Sequence, residues 1–184
     1  MIRLFSLVCR PAGVLLACAV LVHAIPASAV RAATEVWYAP EDRPLERVVR
    51  LYDRATCYIF VAVYGLTSPL VVKALVGAKK RGVDVRVITD RERMNDPKQQ
   101  TAVATLRLAG VPVRVNRHDA LMHLKQAVVD DEINTTGSMN QTTSGNQYND
   151  ERLDIITDHA ITRKAREKFL SMWEDDERFE LWQE

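Results

Sequence analysis

Short apolar runs and helix-like segments alternate along most of the chain. Cys57–Tyr64 (CYIFVAVY) is an almost continuous apolar run, which is typical of a strand buried on both faces of a sheet. Val83–Thr89 (VDVRVIT) instead alternates apolar and polar residues over most of its length, as strands do when one face is more buried than the other. The same criteria predict seven strands in all: Glu35–Tyr38, Cys57–Tyr64, Val83–Thr89, Val111–Val115, Leu121–Asp130, Ile133–Ser138 and Arg152–Thr157.

Helix start and stop signals lie between these runs. Ser68 before Pro69 supplies an N-cap followed by proline at the first helical position, and Gly82 supplies a C-terminal stop. Asp96-Pro97 and Gly110 repeat the arrangement, and Asp42 is expected to cap an earlier helix. Four helices are predicted: Asp42–Arg54, Ser68–Gly82, Asp96–Gly110 and His159–Glu174. Alternation of this kind favours an α/β fold with a largely central sheet.

The first 29 residues have a different character from the rest. They contain two arginines and no acidic residue, and the apolar run Gly13–Ala24 is followed by Ala27-x-Ala29. This order predicts a secretory signal peptide over residues 1–29, with cleavage near Ala33 as an alternative. A retained membrane anchor is the other alternative, but the run is shorter than the roughly 20 residues that a spanning helix needs.

Removing the leader changes the composition. The whole chain has 184 residues and a formal charge of +1, but residues 30–184 carry 23 basic and 24 acidic side chains, so the net charge becomes −1. We therefore expect one domain over residues 30–184, exported to the periplasm or secreted, without a stable membrane span after processing. Cys57 is then the one remaining cysteine, which excludes an internal disulfide. Its apolar neighbours predict a small buried side chain.

The segment Met122–Asn140 (MHLKQAVVDDEINTTGSMN) carries the chemically informative pattern. Its fixed positions are His123, Lys125, Asp130, Gly137, Ser138 and Asn140. Six positions at about 5% frequency each coincide by chance in only about one window in 10⁸. The pattern is therefore a strong signal, although a lone His-x-Lys or Gly-Ser pair has an ordinary surface interpretation.

The spacing fits phosphate chemistry. Residues two apart on a strand face the same side, so His123 and Lys125 are expected to stand together. An imidazole can act near neutral pH, and a lysine provides a positive charge for a phosphate oxygen. Ser138 and Asn140 add neutral donors after Gly137, whose missing side chain permits a close backbone approach.

Asp130 differs from the other motif residues. It has the opposite parity to His123 along the predicted strand, so it is expected to face away from the pocket. We therefore predict a structural role for this carboxylate.

The pattern resembles the signature of the phospholipase D superfamily, and specifically its small single-motif bacterial endonuclease type. Val63–Pro69, Lys73–Leu75 and Ala78–Val85 are similar to the second strand and first crossover helix of that type. The resemblance implies an α-β-α sandwich with a mixed central sheet. It assigns Lys125, Ser138 and Asn140 to phosphate binding, and catalysis to His123, Lys125 and an acidic residue 28 positions after the histidine, here Glu151. Gln126 and the polar Asn134–Thr136 depart from the usual apolar pattern.

The resemblance also implies a two-step reaction that requires no metal or other cofactor. One histidine attacks phosphorus and forms a phosphohistidine, while a second protonates the leaving oxygen and then activates water. This chain has a single copy of the motif, so the second histidine is expected to come from another copy in a homodimer with one shared site.

The favoured substrate is nucleic acid, either DNA or RNA, cleaved without strong sequence preference. Five side chains near the motif are candidates to follow a phosphate backbone: Arg91, Arg93, Arg114, Arg117 and His118. Tyr64 and Tyr148 are the best-placed stacking candidates. A phospholipase acting on lipid headgroups is an alternative that predicts an apolar rim at the site, and a catalytically idle nucleic-acid binding module is a second alternative.

Overall fold

The computed structural model describes residues 33–183, so the predicted signal peptide lies outside the described residues. One eight-stranded sheet forms the centre of this part of the chain. Its strands are β1 (Thr34–Ala39), β2 (Tyr58–Val63), β3 (Asp84–Thr89), β4 (Val113–Asn116), β5 (Lys125–Val129), β6 (Ile133–Gly137), β7 (Glu151–Ile156) and β8 (Phe179–Leu181). The helices are α1 (Pro44–Arg54), α2 (Pro69–Lys80), α3 (Pro97–Leu108), α4 (Thr143–Gln147) and α5 (His159–Trp173).

The sheet is mixed. Its strand order is β1-β7-β6-β5-β2-β3-β4-β8, in which β2, β3 and β4 pair in parallel and the remaining pairs are antiparallel. The two parallel pairings are joined by α2 and α3, as expected for crossover connections. The predicted α/β fold with a mixed sheet is confirmed.

Helices cover the two faces of the sheet. In β2, Ile59 and Val61 join the larger apolar cluster, which also contains the buried faces of α1, α2 and α3. Phe60 and Ala62 point the other way and join a smaller cluster with Phe169 of α5. The nearly continuous apolar run in this strand therefore reflects burial on both sides.

Several predicted boundaries are wrong, each for a local reason. Cys57 precedes β2 rather than belonging to it, so its side chain is exposed and not buried as predicted. Asp42 does not cap α1, because its carboxylate accepts a hydrogen bond from the Tyr38 N–H at 2.8 Å. Arg43, in the left-handed region at φ 48°, precedes the helix instead. The predicted strand from Leu121 begins only at Lys125.

Two of the polar departures in β5 and β6, Thr135 and Gln126, make hydrogen bonds, whereas the buried Asn134 Oδ1 has no partner among the described residues. Asn134 and Thr135 are both buried, and the Thr135 hydroxyl accepts from the Ala127 N–H at 3.1 Å. The Gln126 amide donates to the Ala165 carbonyl of α5 at 3.1 Å. Polar side chains thus tie these strands to each other and to α5.

The pairing register brings the motif to one edge of the sheet. Val63 at the end of β2 lies opposite Lys125 at the start of β5. Gly137 at the end of β6 pairs with Leu153, two residues after Glu151 at the start of β7. Residues far apart in sequence therefore meet at a single edge.

Within residues 33–183, no helix has the length and apolar character needed to cross a membrane.

Candidate active site

His123 lies in an extended segment immediately before β5. The Tyr64 N–H donates to the Leu124 carbonyl at 2.9 Å, which continues the pairing of β2 with this segment. The His123 ring is exposed, and its centroid lies 4.9 Å from that of Tyr64. The backbone contact with β2 thus places an open imidazole against an aromatic wall.

Lys125 lies directly beside this imidazole. Its Nζ is 2.9 Å from Nε2 and 3.0 Å from Nδ1 of His123, and it donates to the His123 carbonyl at 2.9 Å. The same Nζ lies 5.3 Å from the centroid of the Tyr64 ring. Burial lowers the pKa of Lys125, while the negative charge of Glu151 raises it in opposition. The site therefore holds a partly desolvated ammonium within reach of the histidine.

Gly137 permits a close approach of β6 and β7 next to this pair. It has φ +146°, and a Cβ at this position would lie 2.1 Å from the Arg152 carbonyl oxygen. The neighbouring Ser138 donates its hydroxyl proton to Glu151 and accepts from the Arg152 N–H at 3.1 Å. The Ser138 hydroxyl is therefore engaged in holding Glu151 rather than free to donate to a substrate.

Glu151 does not hydrogen-bond His123 in this structure. Besides Ser138, its carboxylate accepts from the Asn149 amide at 3.4 Å. Its influence on the pair at the centre of the site is electrostatic, through Lys125. The resemblance assigns Glu151 to orienting the imidazole, and that role stays a prediction.

Asn140 has a defined amide orientation. Its Oδ1 accepts from the Gly65 N–H at 3.0 Å, which leaves Nδ2 as the donor available to a ligand. The hydrogen bond also ties the loop after β6 to the loop after β2. This residue therefore combines a structural contact with a free donor.

Asp130 lies at the opposite end of β5 from His123. Its carboxylate accepts the N–H groups of Thr56, Cys57 and Tyr58 at 2.7–2.8 Å. Burial raises the pKa of Asp130, but these backbone bonds and the Thr56 hydroxyl outweigh it and hold the pKa below its usual value. The side chain fastens the start of β2 to the β5–β6 turn and does not enter the candidate site.

Only some of the predicted basic contacts face the site. The Arg93 guanidinium lies 5.6 Å from the centroid of the Tyr64 ring, which also contacts His123 and Lys125. Arg114 is buried and bonded to main-chain oxygens of Trp173 and Phe179, so it is structural and the prediction for this residue is wrong.

Arg91 and Arg117 both contact Glu180 of β8. His118 is half-buried, with its ring edge-on to Phe179 at 5.7 Å. These side chains therefore contact β8 rather than standing free at the site.

Two buried polar residues that support the site were missed at the sequence level. The Gln99 amide accepts from the Leu66 N–H at 2.7 Å and donates to the Thr89 hydroxyl at 2.8 Å. Thr89 in turn donates to the Tyr64 carbonyl at 3.1 Å. The available signal was a glutamine at a core-facing position of α3, where an apolar residue is expected.

A cavity of about 960 Å³ adjoins the candidate site between α2, α3 and α4. Arg93 links the two, because it lines the cavity and lies over Tyr64. The cavity lining is largely apolar and also includes cations and hydroxyls. Its side chains include Val72, Val76, Ala102, Lys73, Lys98 and Tyr148.

Among residues 33–183, no three His, Cys, Asp or Glu side chains are grouped so that they could hold a metal ion.

The chain is similar to known proteins of one family. Residues 48–173 match the family model described as cardiolipin synthase, PLD-like domain. The mitochondrial cardiolipin hydrolase of Xenopus tropicalis is 34% identical over 134 residues, covering 73% of this chain and 63% of that protein. A phospholipase D of Rickettsia felis is 27% identical over 144 residues, covering 78% of this chain and 69% of that protein.

A solved structure matches over almost its full length. Nuc from Salmonella typhimurium, described as a phospholipase D family member, superposes with a TM-score of 0.75 at 28% identity, covering 83% of this chain and 99% of that one. By contrast, the chain spans between 51% and 63% of the lengths of the first cardiolipin hydrolases that it matches.

Proposed function

The chain belongs to the phospholipase D superfamily, and from that premise we propose that it hydrolyses phosphodiester bonds with His123 as the attacking group. The observation that carries the proposal is the exposed imidazole with the Lys125 ammonium 2.9 Å from its Nε2. A cation beside a nucleophile attracts the phosphate diester and stabilises the charge that develops on its oxygens.

The proposed first step forms a bond between a nitrogen of His123 and phosphorus. The phosphorus–oxygen bond to the leaving group breaks, and a second imidazole gives its proton to that oxygen. In the second step, the same second imidazole removes a proton from water, and the resulting oxygen attacks phosphorus and releases His123. The two imidazoles therefore begin in opposite protonation states.

The phosphate oxygens have two donors nearby in the structure. Lys125 offers its ammonium, and Asn140 offers the Nδ2 that its bond to Gly65 leaves free. Ser138 serves the site through Glu151 in this conformation, and Glu151 acts on Lys125. Motif residues thus divide into groups that meet the substrate and groups that hold them in place.

The second imidazole is proposed to come from a second copy of the chain. Neither His118 nor His159 lies beside His123, because the first faces Phe179 and the second contacts the Asp131 carbonyl at the far end of β5. A symmetric dimer that brings two His123 side chains together would complete the site.

We propose nucleic acid, DNA or RNA, as the principal substrate. Arg93 lies above Tyr64 next to the catalytic pair, and Tyr148, 75% exposed, offers a face for base stacking. Lys73 and Lys98 add positive charge along the adjoining cavity.

The test uses plasmid DNA, RNA and phospholipid vesicles as parallel substrates. We expect nicking of DNA by the purified protein with and without EDTA, and no cleavage by His123→Asn. Cleavage that persists in the variant would contradict the proposed chemistry. Binding of DNA without any cleavage by the wild-type protein would instead support an idle binding module.

A phospholipid hydrolase is the second candidate, because the cavity beside the site has a largely apolar lining. Val72, Val76 and Ala102 line this cavity. Arg93 lines it too and lies over Tyr64, which connects the cavity with the site. Such a surface fits an acyl chain when the headgroup phosphate lies at Lys125.

One pair of variants separates the two substrates. Val76→Glu places a charge in the cavity, and Leu108→Glu places the same charge on α3 at a position 90% exposed and outside it. If lipid is the substrate, only the first variant loses vesicle hydrolysis. If nucleic acid is the substrate, neither wild type nor variant hydrolyses vesicles at a significant rate.

We also propose that the protein works in the periplasm or after secretion. The basic start, apolar run and Ala27-x-Ala29 site support export. N-terminal sequencing of the protein recovered from its producing cells tests this, with a start at Val30 expected and a start at Met1 as the contrary result.

A further inference from the structure

The catalytic histidine lies on an irregular segment. Between the end of β4 at Asn116 and the start of β5 at Lys125, the chain forms no helix or strand. A nucleophile must be held to within about 0.5 Å of its productive position. The bond from the Tyr64 N–H to the Leu124 carbonyl holds the chain after His123, so the chain before His123 must be held by other contacts.

Asp90 binds the residue immediately before His123. Its Oδ2 accepts from the Met122 N–H at 2.6 Å, and its Oδ1 accepts from the Glu92 N–H at 2.9 Å. The residue is fully buried at the end of β3, and within residues 33–183 it has no ion-pair partner. A buried carboxylate is costly unless its oxygens are bonded. The bond to Glu92 satisfies one oxygen locally, and the bond to Met122 ties the loop before His123 to the end of β3.

Asn116 binds the same segment further upstream. It is 4% exposed, and its Nδ2 donates to the carbonyls of Ala120 at 2.9 Å and His118 at 3.2 Å. Its Oδ1 accepts from the Arg91 N–H at 2.8 Å, which joins it to the chain next to Asp90. Side chains at the ends of the neighbouring parallel strands β3 and β4 therefore both bond the loop between β4 and β5.

The side chain of Met122 completes the anchorage. It is 3% exposed and packs in the smaller apolar cluster with Phe60, Ile88 and Phe169. Met122 is thus fixed through its N–H by Asp90 and through its side chain by the core. Because His123 is the next residue, fixing Met122 also restricts where the His123 backbone can lie.

We propose that Asp90 and Asn116 are positioning residues that set the location of the His123 imidazole relative to Lys125 and the substrate phosphorus. The proposal rests on the proposed role of His123 as the attacking group. Neither residue touches the imidazole, and both act through the backbone of residues 118–122.

The chemistry of the two side chains allows isosteric tests. Asp90 faces two N–H donors, so Asp90→Asn must turn an NH₂ group towards one of them and lose that bond. Asn116 faces two carbonyls with its Nδ2, so Asn116→Asp places an acceptor against acceptors. Neither substitution changes the side-chain size appreciably.

Asp158→Asn serves as the matched control. Asp158 also accepts a backbone N–H, that of Ile161 at 2.9 Å, but it caps α5 away from the site. The comparison therefore separates loss of a carboxylate–backbone bond in general from loss of the bonds around His123.

The experiment measures steady-state cleavage and thermal unfolding together. We expect kcat to fall by about tenfold or more in Asp90→Asn and Asn116→Asp at a temperature where each is folded, with KM changed less than about threefold. Asp158→Asn should keep the wild-type kcat. Equal kcat in all four proteins, or equal losses in all three variants, would overturn the proposal.

NMR gives a second readout that does not require activity. The His123 imidazole signals are identified by their absence in His123→Asn, and they should move in Asp90→Asn and Asn116→Asp but not in Asp158→Asn. Unmoved signals would overturn the positioning role. If His123→Asn keeps full activity, the proposed function fails while the NMR shifts still decide the placement. Should Asp90→Asn not fold, the same expectations apply to Asn116→Asp.

Discussion

At the scale of single residues, the site depends on a cation held close to an imidazole. The Lys125 ammonium lies beside the His123 ring and also feels the negative charge of Glu151. Burial lowers the pKa of Lys125, and the charge of Glu151 raises it. Glu151 itself is held by Ser138. The motif residues therefore divide into the proposed reacting pair, His123 and Lys125, and the groups that act on that pair, Glu151 and Ser138.

This arrangement predicts a pH effect of Glu151→Gln. Burial already lowers the pKa of Lys125, and removing the charge that raises it lowers the pKa further. Because the proposed chemistry needs the protonated ammonium, the alkaline limb of the kcat profile should move to lower pH. The profile measured from pH 6 to pH 10 checks this, with the exposed Glu132→Gln as control. An alkaline limb at the wild-type position in Glu151→Gln would contradict the assigned coupling.

At the scale of elements, strand ends and turns position the chemistry. β5 contributes its first residue, Lys125, to the site, and β6 ends at Gly137 where the chain must pass close to β7. The opposite end of β5 is fastened to β2 by Asp130. The strand is thus anchored at one end and carries the proposed site at the other.

Gly137→Ala should damage the site through the backbone. A Cβ would lie 2.1 Å from the Arg152 carbonyl oxygen, and φ +146° is unfavourable for alanine. β6 and β7 must then separate, which displaces Ser138 and Glu151. We expect a lower unfolding temperature together with loss of cleavage. Gly77→Ala in α2, where the nearest atom to a new Cβ lies at 3.7 Å, should be tolerated in both measurements.

Asp130→Asn should reduce stability in a pH-dependent way. Backbone hydrogen bonds outweigh burial and keep the Asp130 pKa below its usual value, so its stabilisation is present at neutral pH and is lost as pH falls through the folded-state pKa. We expect a loss of about 1–3 kcal/mol in the free energy of unfolding at pH 7. Urea denaturation should show that the difference from wild type shrinks below about pH 4. A constant difference at all pH values would be the contrary result.

At the scale of the whole molecule, residues 33–183 of one chain place one imidazole, that of His123, beside Lys125, and the proposed reaction needs two. The end of β2, the start of β5, the end of β6 and the start of β7 converge at the edge of the sheet that carries this pair. The proposed mechanism therefore requires a second copy of the chain, and this is the reason to expect a dimer.

Mixing experiments test the shared site. In a re-equilibrated equal mixture of wild type and His123→Ala, only the dimer with two wild-type chains is active, so activity should fall to about a quarter of that of the same total amount of wild type. Independent sites would retain half. Sedimentation at assay concentration supplies the oligomeric state directly, and an active monomer would falsify the shared-site mechanism.

The sequence alone gave the alternation of strands and helices, because burial on a sheet and the 3.6-residue helix period both leave local patterns. It also gave the motif, since spacing is local information. It did not reveal β8 or α4, which are too short to show a period. The prediction that Cys57 is buried is wrong because β2 begins one residue later, at Tyr58, which leaves Cys57 exposed.

What the sequence by itself determined is therefore the fold class and the chemical groups available at the motif. The tertiary structure decided which of those groups meet. It turned Ser138 towards Glu151 and buried Arg114 against main-chain oxygens. It also placed Asp90 behind the loop of the histidine, over 32 residues of sequence separation. The physical reason is that hydrogen bonds between distant strand ends depend on strand order and register, which no local pattern specifies.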